Sequence, residues 1–337
     1  MTKQISLIIP CYNEQASIGL LLEAIHRQTY RLDKIEIIVA DGMSDDGTRD
    51  VIAAFAETHP LPHIRVIDNT KRIIPAAINQ AIFAAQGEII IRLDAHSIPA
   101  KDYIEQCQVA LEETGAANVG GRWEIEPGGK GWAARGIAAA TSHLLGAGGA
   151  RYRIGGQAGE VETVPFGAFK RDWLNKVGPF DETLLTNEDY EYNVRIRQAG
   201  GIVWFDPSIQ SVYLARSSFA ELARQYSRYG YWKAQMLRRY PGTLLPRQAI
   251  PPLFVLTLVI LSIASLLLPG WRPILGVELG IYFLVTMSAA IVEMLRRKDL
   301  RLLLSFPIAL WVIHVSWGGS LLWALVQSMA GGMREKG

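Results

Sequence analysis

Asp94 and His96 stand one residue apart just beyond an apolar run, Ile89-Ile90-Ile91. Alternate residues on an extended backbone point the same way, so this carboxylate and this imidazole can reach one ion. The run itself reads as a strand buried on both faces. Ligands at the carboxyl end of an internal parallel strand lie where open α/β sheets bind ligands. The plainer reading is a polar turn after a core strand, and so short a motif does not decide between the two. Two more polar side chains follow apolar runs. Tyr12 comes after Ile5 to Ile9 and could pack on a base or a ribose; its plain reading is a half-buried aromatic. Asp41 comes after Ile35 to Val39 and could accept hydrogen bonds from a base N–H or a sugar hydroxyl; its plain reading is a turn former with Gly42.

The elements that must hold these residues are legible by period. Ile18, Leu21, Leu22 and Ile25 form one face of a helix after the first strand. Val51 to Phe55 begins another, Ile64 to Ile67 is a third strand, and a helix starts near Pro75, since proline suits a first turn. Strands alternating with helices at this spacing imply βαβ units and a mostly parallel central sheet in an α/β fold. A dinucleotide-binding oxidoreductase would need Gly-x-Gly-x-x-Gly in its first turn. That turn here is Pro10-Cys-Tyr-Asn-Glu14, with no glycine before Gly19.

Further along, Val119-Gly-Gly-Arg-Trp-Glu-Ile125 reads as a strand leaving the sheet, and Gly146 to Gly159 as a flexible loop with a rival reading as a loop closing on substrate. Glu188 and Asp189 open a helix capped by Asn187 and ended by Gly200-Gly201; acids in a first turn complement the helix dipole. Ser218-Phe-Ala-Glu221 is a capping box before a long basic, aromatic, amphipathic helix of the kind that lies on membrane surfaces.

A net charge of +2 over 337 residues gives no electrostatic case for nucleic acid. Two cysteines, Cys11 and Cys107, make no disulfide framework and read as reduced core residues. Ile5 to Ile9 is too short for a signal peptide.

Ile9-Pro-Cys-Tyr-Asn-Glu14, Asp41-Gly-Met-Ser-Asp-Asp-Gly-Thr48 and Leu93-Asp-Ala-His96, in this order, resemble the family 2 glycosyltransferases with the GT-A fold. The resemblance covers most of residues 1–248. It implies a nucleotide pocket built from Pro10, Tyr12, Glu14, Asp41, Arg72 and Asp94, with Asp41 on a uracil. It places Asp94 and His96 on the two ends of the Asp-x-Asp metal motif, for Mn or Mg; His96 departs from the common second aspartate. Asp-Ala-His also occurs in a branch resembling succinoglycan-type exopolysaccharide glucosyltransferases. Pro165-Phe-Gly-Ala-Phe169, with Phe166 and Gly167, resembles the family's acceptor side, and Glu188-Asp189 matches its Glu-Asp motif, whose aspartate is the catalytic base. Arg224-Gln-Tyr-Ser-Arg-Tyr-Gly-Tyr-Trp232 resembles the Gln-x-x-Arg-Trp segment of membrane-bound members, with Tyr229 for the usual tryptophan. That assigns Gln225, Arg228 and Trp232 to the diphosphate or acceptor; a lipid headgroup is the other reading of Arg228.

Three stretches are long and apolar enough to span a membrane: Leu253 to Leu268, Ile274 to Leu295 and Leu302 to Met329. Cations gather before the first (Arg238, Arg239, Arg247) and between the second and third (Arg296, Arg297, Lys298, Arg301). The positive-inside rule then puts residues 1–248 in the cytoplasm and the C-terminus outside. Arg334 and Lys336 oppose that last point, and a re-entrant third segment is the alternative.

The expected protein is thus a GT-A catalytic domain over 1–216, an interfacial helix over 217–248 and about three transmembrane helices over 250–330, at the inner membrane. The expected activity is inverting, metal-dependent transfer, of glucose by the resemblance, from a UDP-sugar to a lipid-linked saccharide in exopolysaccharide assembly, alongside other assembly proteins. The rivals are a processive polysaccharide synthase, for which three spans are few, and a catalytically silent nucleotide-binding scaffold, against which Asp94 and Asp189 both stand.

Overall fold

Period-2 and period-3.6 apolar patterns alternate along the first half of the chain, and the backbone follows them. The computed structural model describes residues 5–59 and 62–334, with side chains through 328. Strands and helices begin as β1 (Ile5–Cys11), α1 (Ile18–His26), β2 (Ile35–Asp41), α2 (Thr48–Thr58), β3 (His63–Asp68), α3 (Ile74–Ala84) and β4 (Ile89–Arg92). They continue as β5 (Ile98–Pro99), α4 (Tyr103–Thr114), β6 (Asn118–Pro127), α5 (Trp132–Thr141), α6 (Leu144–Ala147), α7 (Arg151–Ile154), β7 (Gly159–Glu160), β8 (Ala168–Lys170) and α8 (Arg171–Val177). The rest are α9 (Glu188–Gln198), β9 (Val203–Ala215), α10 (Phe219–Arg239), α11 (Pro246–Leu267), α12 (Arg272–Arg297) and α13 (Leu302–Arg334).

Among the described residues the sheet has nine strands, in the order β3-β2-β1-β4-β8-β6-β9-β5, with β7 on β9. Strands β3, β2, β1 and β4 are parallel. The parallel part stops there: β8 runs antiparallel to β4 and to β6, and β5 and β7 run antiparallel to β9. The sheet is therefore mixed, with its parallel half carrying the strand ends singled out above. Crossover helices cover those strands, which explains why β1 and β4 are buried on both faces. Ile5, Leu7, Ile9, Ile37, Val39, Ile89 and Ile91 meet Leu21, Leu22 and Ile25 of α1 in one core.

Two compact units divide the chain, and neither is a single run of sequence. One comprises residues 1–124 and 155–213; the other comprises 125–154 and 214–337. The segment 125–154, which the sequence places inside the catalytic half, packs with the C-terminal helices. The glycine-rich part of it is not featureless, since it holds the short helices α6 and α7. In that second unit α10 packs Gly230 and Ala234 onto α13. Ser218 caps α10 by accepting from the Glu221 N–H, but the Glu221 carboxylate bonds Ser217 instead, so the capping box is half made. Among the described residues three helices are long and apolar enough to cross a membrane. The side chains of Met329 and Arg334, and Lys336 altogether, lie outside the described residues.

Candidate active site

The loops after β1, β2 and β3 all leave the parallel sheet at its carboxyl edge, and each holds a non-glycine residue in the left-handed region: Asn13 (φ 53°), Met43 (φ 61°) and Arg72 (φ 55°). Such conformations cost of order 1–3 kcal/mol each and gather where function requires a fixed loop shape. Tyr12, half exposed, lies across the backbone at Gly42, where a Cβ would come 3.1 Å from its ring. The Arg72 guanidinium sits 5.9 Å from the same ring centroid. These two residues form a planar and cationic wall suited to a base and a phosphate. Pro10, next to last in β1, pairs with Ala40 of β2.

Asp41 is fully buried. Its carboxylate accepts from the Ser44 N–H at 3.0 Å, from the Ser44 hydroxyl, and from Arg49 Nε at 2.6 Å. A second nitrogen of Arg49 binds Asp68 at 2.7 Å, at the paired end of β3. Any contact from Asp41 to a base would have to share bonds that already fix the Met43–Thr48 loop.

Beyond β4 the backbone is not extended but turns, the Ser97 N–H bonding the Asp94 carbonyl at 2.9 Å. Leu93, Ala95 and Ser97 are buried, whereas Asp94 and His96 keep part of their surface open. His96 Nδ1 lies 2.9 Å from Glu14 Oε1. A carboxylate only accepts, so Nδ1 carries the hydrogen; a carboxylate behind the imidazole is how metal-binding histidines are commonly oriented. Asp94 gives Oδ1 to Arg92, at 3.0 and 3.2 Å, and its Oδ2 has no partner among the described residues. This donor set fits a divalent cation, although no three metal-ligating side chains converge among the described residues. A cation held by one or two protein groups completes its shell from substrate phosphates and water.

Arg92 is the residue that sequence reasoning missed. It ends β4, is 4% exposed, and its Nη2 reaches Asp94 Oδ1 and Glu188 Oε1, both at 3.0 Å. Burial works against its charge, but Asp94, Glu188 and Asp189 together raise its pKa above the ordinary guanidinium value. Its Nη1 is buried with no partner among the described residues. The signal was available: one arginine inside an otherwise apolar strand, in phase with Asp94 and His96.

Asn187 enters α9 in the left-handed conformation (φ 65°) and makes no side-chain cap. Glu188 and Asp189 therefore take the first turn, where the helix dipole favours carboxylates. Asp189 is pushed up to about 7, by burial first and then by the charge of Glu188, with Arg92 pulling the other way. Phe166 (φ 61°) and Gly167 (φ 102°) precede β8, and the Gly167 carbonyl accepts from the Arg92 N–H at 3.0 Å. A Cβ at Gly167 would lie 2.5 Å from Asn118 Oδ1, so the turn that closes on β4 is open only to glycine. One unit thus brings together Tyr12 with Arg72, Glu14 with His96, and Asp94 with Glu188 through Arg92. Gln225, Arg228 and Trp232 belong to α10 of the other unit. There Gln225 is buried and donates to the Tyr229 hydroxyl at 3.0 Å, while Arg228 is exposed.

Glycosyl transferase family 2 matches residues 6–178, half of the chain. The protein belongs to that family. Succinoglycan biosynthesis protein ExoA of Rhizobium meliloti is 30% identical over 247 residues, covering 73% of each chain. The Methanococcus voltae dolichyl N-acetyl-alpha-D-glucosaminyl phosphate 3-beta-D-2,3-diacetamido-2,3-dideoxy-beta-D-glucuronosyltransferase is 27% identical over 93% of this chain and 95% of its own. The solved mannosyltransferase PcManGT of Pyrobaculum calidifontis, in complex with GDP-Man and Mn2+, superposes with a TM-score of 0.60 at 21% identity, covering 96% of this chain and 88% of that one. The GT-A fold is thereby shared. This family 2 member has relatives in exopolysaccharide and lipid-linked glycan synthesis.

Proposed function

We propose that the protein is an inverting glycosyltransferase that moves a hexose, glucose by its resemblance to the succinoglycan branch, from a UDP-sugar to a lipid-linked saccharide at the cytoplasmic face of the membrane. The observation that carries the reading is the chain Asp94–Arg92–Glu188, which ties the donor-side strand end to the helix turn bearing Asp189. Tyr12 and Arg72 hold the base and phosphate side of the donor. Asp41 fixes the loop beside them and is the proposed contact of the uracil. Asp94 and His96 would hold Mn or Mg, which when bound supplies positive charge to the donor diphosphate.

Asp189 takes the proton from the acceptor hydroxyl as that oxygen attacks the anomeric carbon. The C–O bond to the diphosphate breaks on the opposite face, so the configuration inverts. Glu188, paired with Arg92, aims the turn. An acceptor carried by a lipid fits a chain with apolar helices of membrane-spanning length, and the relatives' names support the same class.

The test is thermal shift of the detergent-purified chain with UDP, GDP and a panel of their sugars, each with and without manganese, followed by transfer assays with the stabilising donor. A ligand that binds only the native state raises Tm. A UDP-sugar that stabilises only with the cation and is then transferred with inversion is the expected result. Stabilisation by GDP alone, or full binding and transfer in excess chelator, would remove the donor or the metal from the proposal.

A further inference from the structure

The three apolar helices are not buried alike. In their most apolar windows 17% of α11, 11% of the stretch containing α12 and 39% of α13 is buried. On α11 the buried residues are Pro252, Val255 and Ser265, and on α12 they are Thr286, Ala290 and Glu293. On α13 burial runs along the helix, from Leu302, Phe306 and Leu310 to Leu321 and Ala324. A third span in a bundle would pack along the other two over their whole depth. Instead the far half of the hairpin shows large exposed apolar side chains, among them Ile260, Ile263, Val277 and Ile281, and its helices hold each other by Thr257 to Glu278 and by Arg272 to the Ser265 carbonyl.

What covers α13 is α5 and α10, packed closely through small residues. Gly136 of α5 sits where a Cβ would come 2.4 Å from the Ser305 Cβ, and the His143 ring meets Phe306 edge-on at 5.2 Å. Further along, Gly230 of α10 lets the backbones close in, since a Cβ there would lie 2.2 Å from the Trp317 carbonyl oxygen. Ser320 donates to the Ser227 carbonyl at 2.7 Å, and Ala234 packs on Leu321 and Ala324. Yet α10 carries Arg224, Arg228, Lys233, Arg238 and Arg239, all but Lys233 exposed. A helix with such a charged face is excluded from hydrocarbon, so the stretch of α13 beside it is not at hydrocarbon depth either. The hairpin meets α13 near its middle: Phe254 and Tyr282 reach Trp311 at 5.9 and 5.4 Å, and the Pro251 carbonyl oxygen lies 2.7 Å from where a Gly318 Cβ would be.

We infer that α13 lies in the plane of the membrane surface, as a platform from which α11 and α12 alone cross, and that the face it turns to the boundary between headgroups and acyl chains carries Leu304, Trp311, Trp323 and Val326. All four are exposed, at 63%, 36%, 61% and 59%. At 100° per residue they fall within an arc of about 120°. Tryptophan is the side chain enriched at that boundary. The hairpin returns the chain to the side on which it began, so the C-terminal end of α13 and α10 share one side of the membrane.

The test uses the full chain in cells, with a fluorescent or a phosphatase reporter inserted after Gly270 or appended to the last residue. The expected pattern is phosphatase activity only at Gly270 and cytoplasmic fluorescence only at the C-terminus. An external C-terminus, or a cytoplasmic Gly270 loop, would overturn the inference. Depth is read independently from nitroxide labels on Leu304→Cys and Trp323→Cys in reconstituted vesicles. The two positions are about 28 Å apart along the helix axis. Labels within about 10 Å of the same depth support the platform, and a difference near the full helix separation restores a third span.

Discussion

Asp189 is a carboxylic acid with a base's task. Burial and the neighbouring Glu188 push its pKa to about 7, and Arg92 offsets part of that. Glu188, Arg92 and Asp94 are the charged groups facing it, and a base works only when ionised. The expected profile of kcat/KM therefore rises with pH and levels off above about 7, and a profile flat between pH 5.5 and 8.5 would exclude Asp189 as the titrating group. Asp189→Asn keeps the shape but cannot accept the proton, so transfer should fall by roughly 10²–10⁴-fold with nucleotide binding nearly unchanged. Arg92 has a different signature. Arg92→Met strands the Glu188 carboxylate, 8% exposed, without its cation, and breaking a buried pair from one side costs about 3–5 kcal/mol. Adding Glu188→Gln should return much of that stability, because the more buried of the two stranded carboxylates is then neutral and Asp94 is partly open to water. Urea midpoints of the single and double variants check this, and strict additivity of the two losses would mean that the pair does not act as one.

At the scale of elements, the parallel half of the sheet was legible because its strands are apolar runs of the right length between clear turn residues. The start of α3 at Ile74, with proline in its first turn, follows the same logic. Asp94 and His96 were singled out by strand period, but they stand in the polar turn that was the plainer reading of the same residues. Arg92 and the Glu14–His96 bond were not legible, because both depend on contacts between residues 82 or 96 positions apart. The antiparallel half was also hidden: β8 is three residues long and carries no period. Gly121 shows what the sequence concealed there. A Cβ on it would come 1.7 Å from the Ile209 carbonyl oxygen, so β6 and β9 touch through bare backbone. Gly121→Ala should therefore cost about 1–3 kcal/mol by overpacking, read as a lower urea midpoint with an unchanged slope. Gly131→Ala, where nothing lies within 4 Å, is the control that should leave the midpoint in place.

For the whole molecule, the non-contiguous units decide what can be cut away. A boundary at residue 216 looks natural in the sequence, yet α5 lies upstream of it and belongs with the C-terminal helices. Ile137, Ala138, Ala139 and Ala140 of α5 are buried, and Gly136 touches Ser305 of α13. A chain ending at 216 loses α10 and α13 and leaves this apolar face in water, an exposed patch of the kind that drives association. Replacing residues 125–154 by a short glycine-serine linker in the same truncated chain removes the face as well. The Arg122 side chain reaches the Gly155 end of the cut, where a Cβ would lie 3.6 Å from its guanidinium carbon. The expected outcome is that the simple truncation is aggregated on size-exclusion chromatography, while the linker version is monomeric and melts cooperatively. It should still gain thermal stability from a UDP-sugar with manganese, since Tyr12, Arg72, Asp94, His96 and Asp189 all remain in the retained unit. A simple truncation at 216 that is monomeric and melts like the linker version would show that α5 does not depend on the helices it packs against.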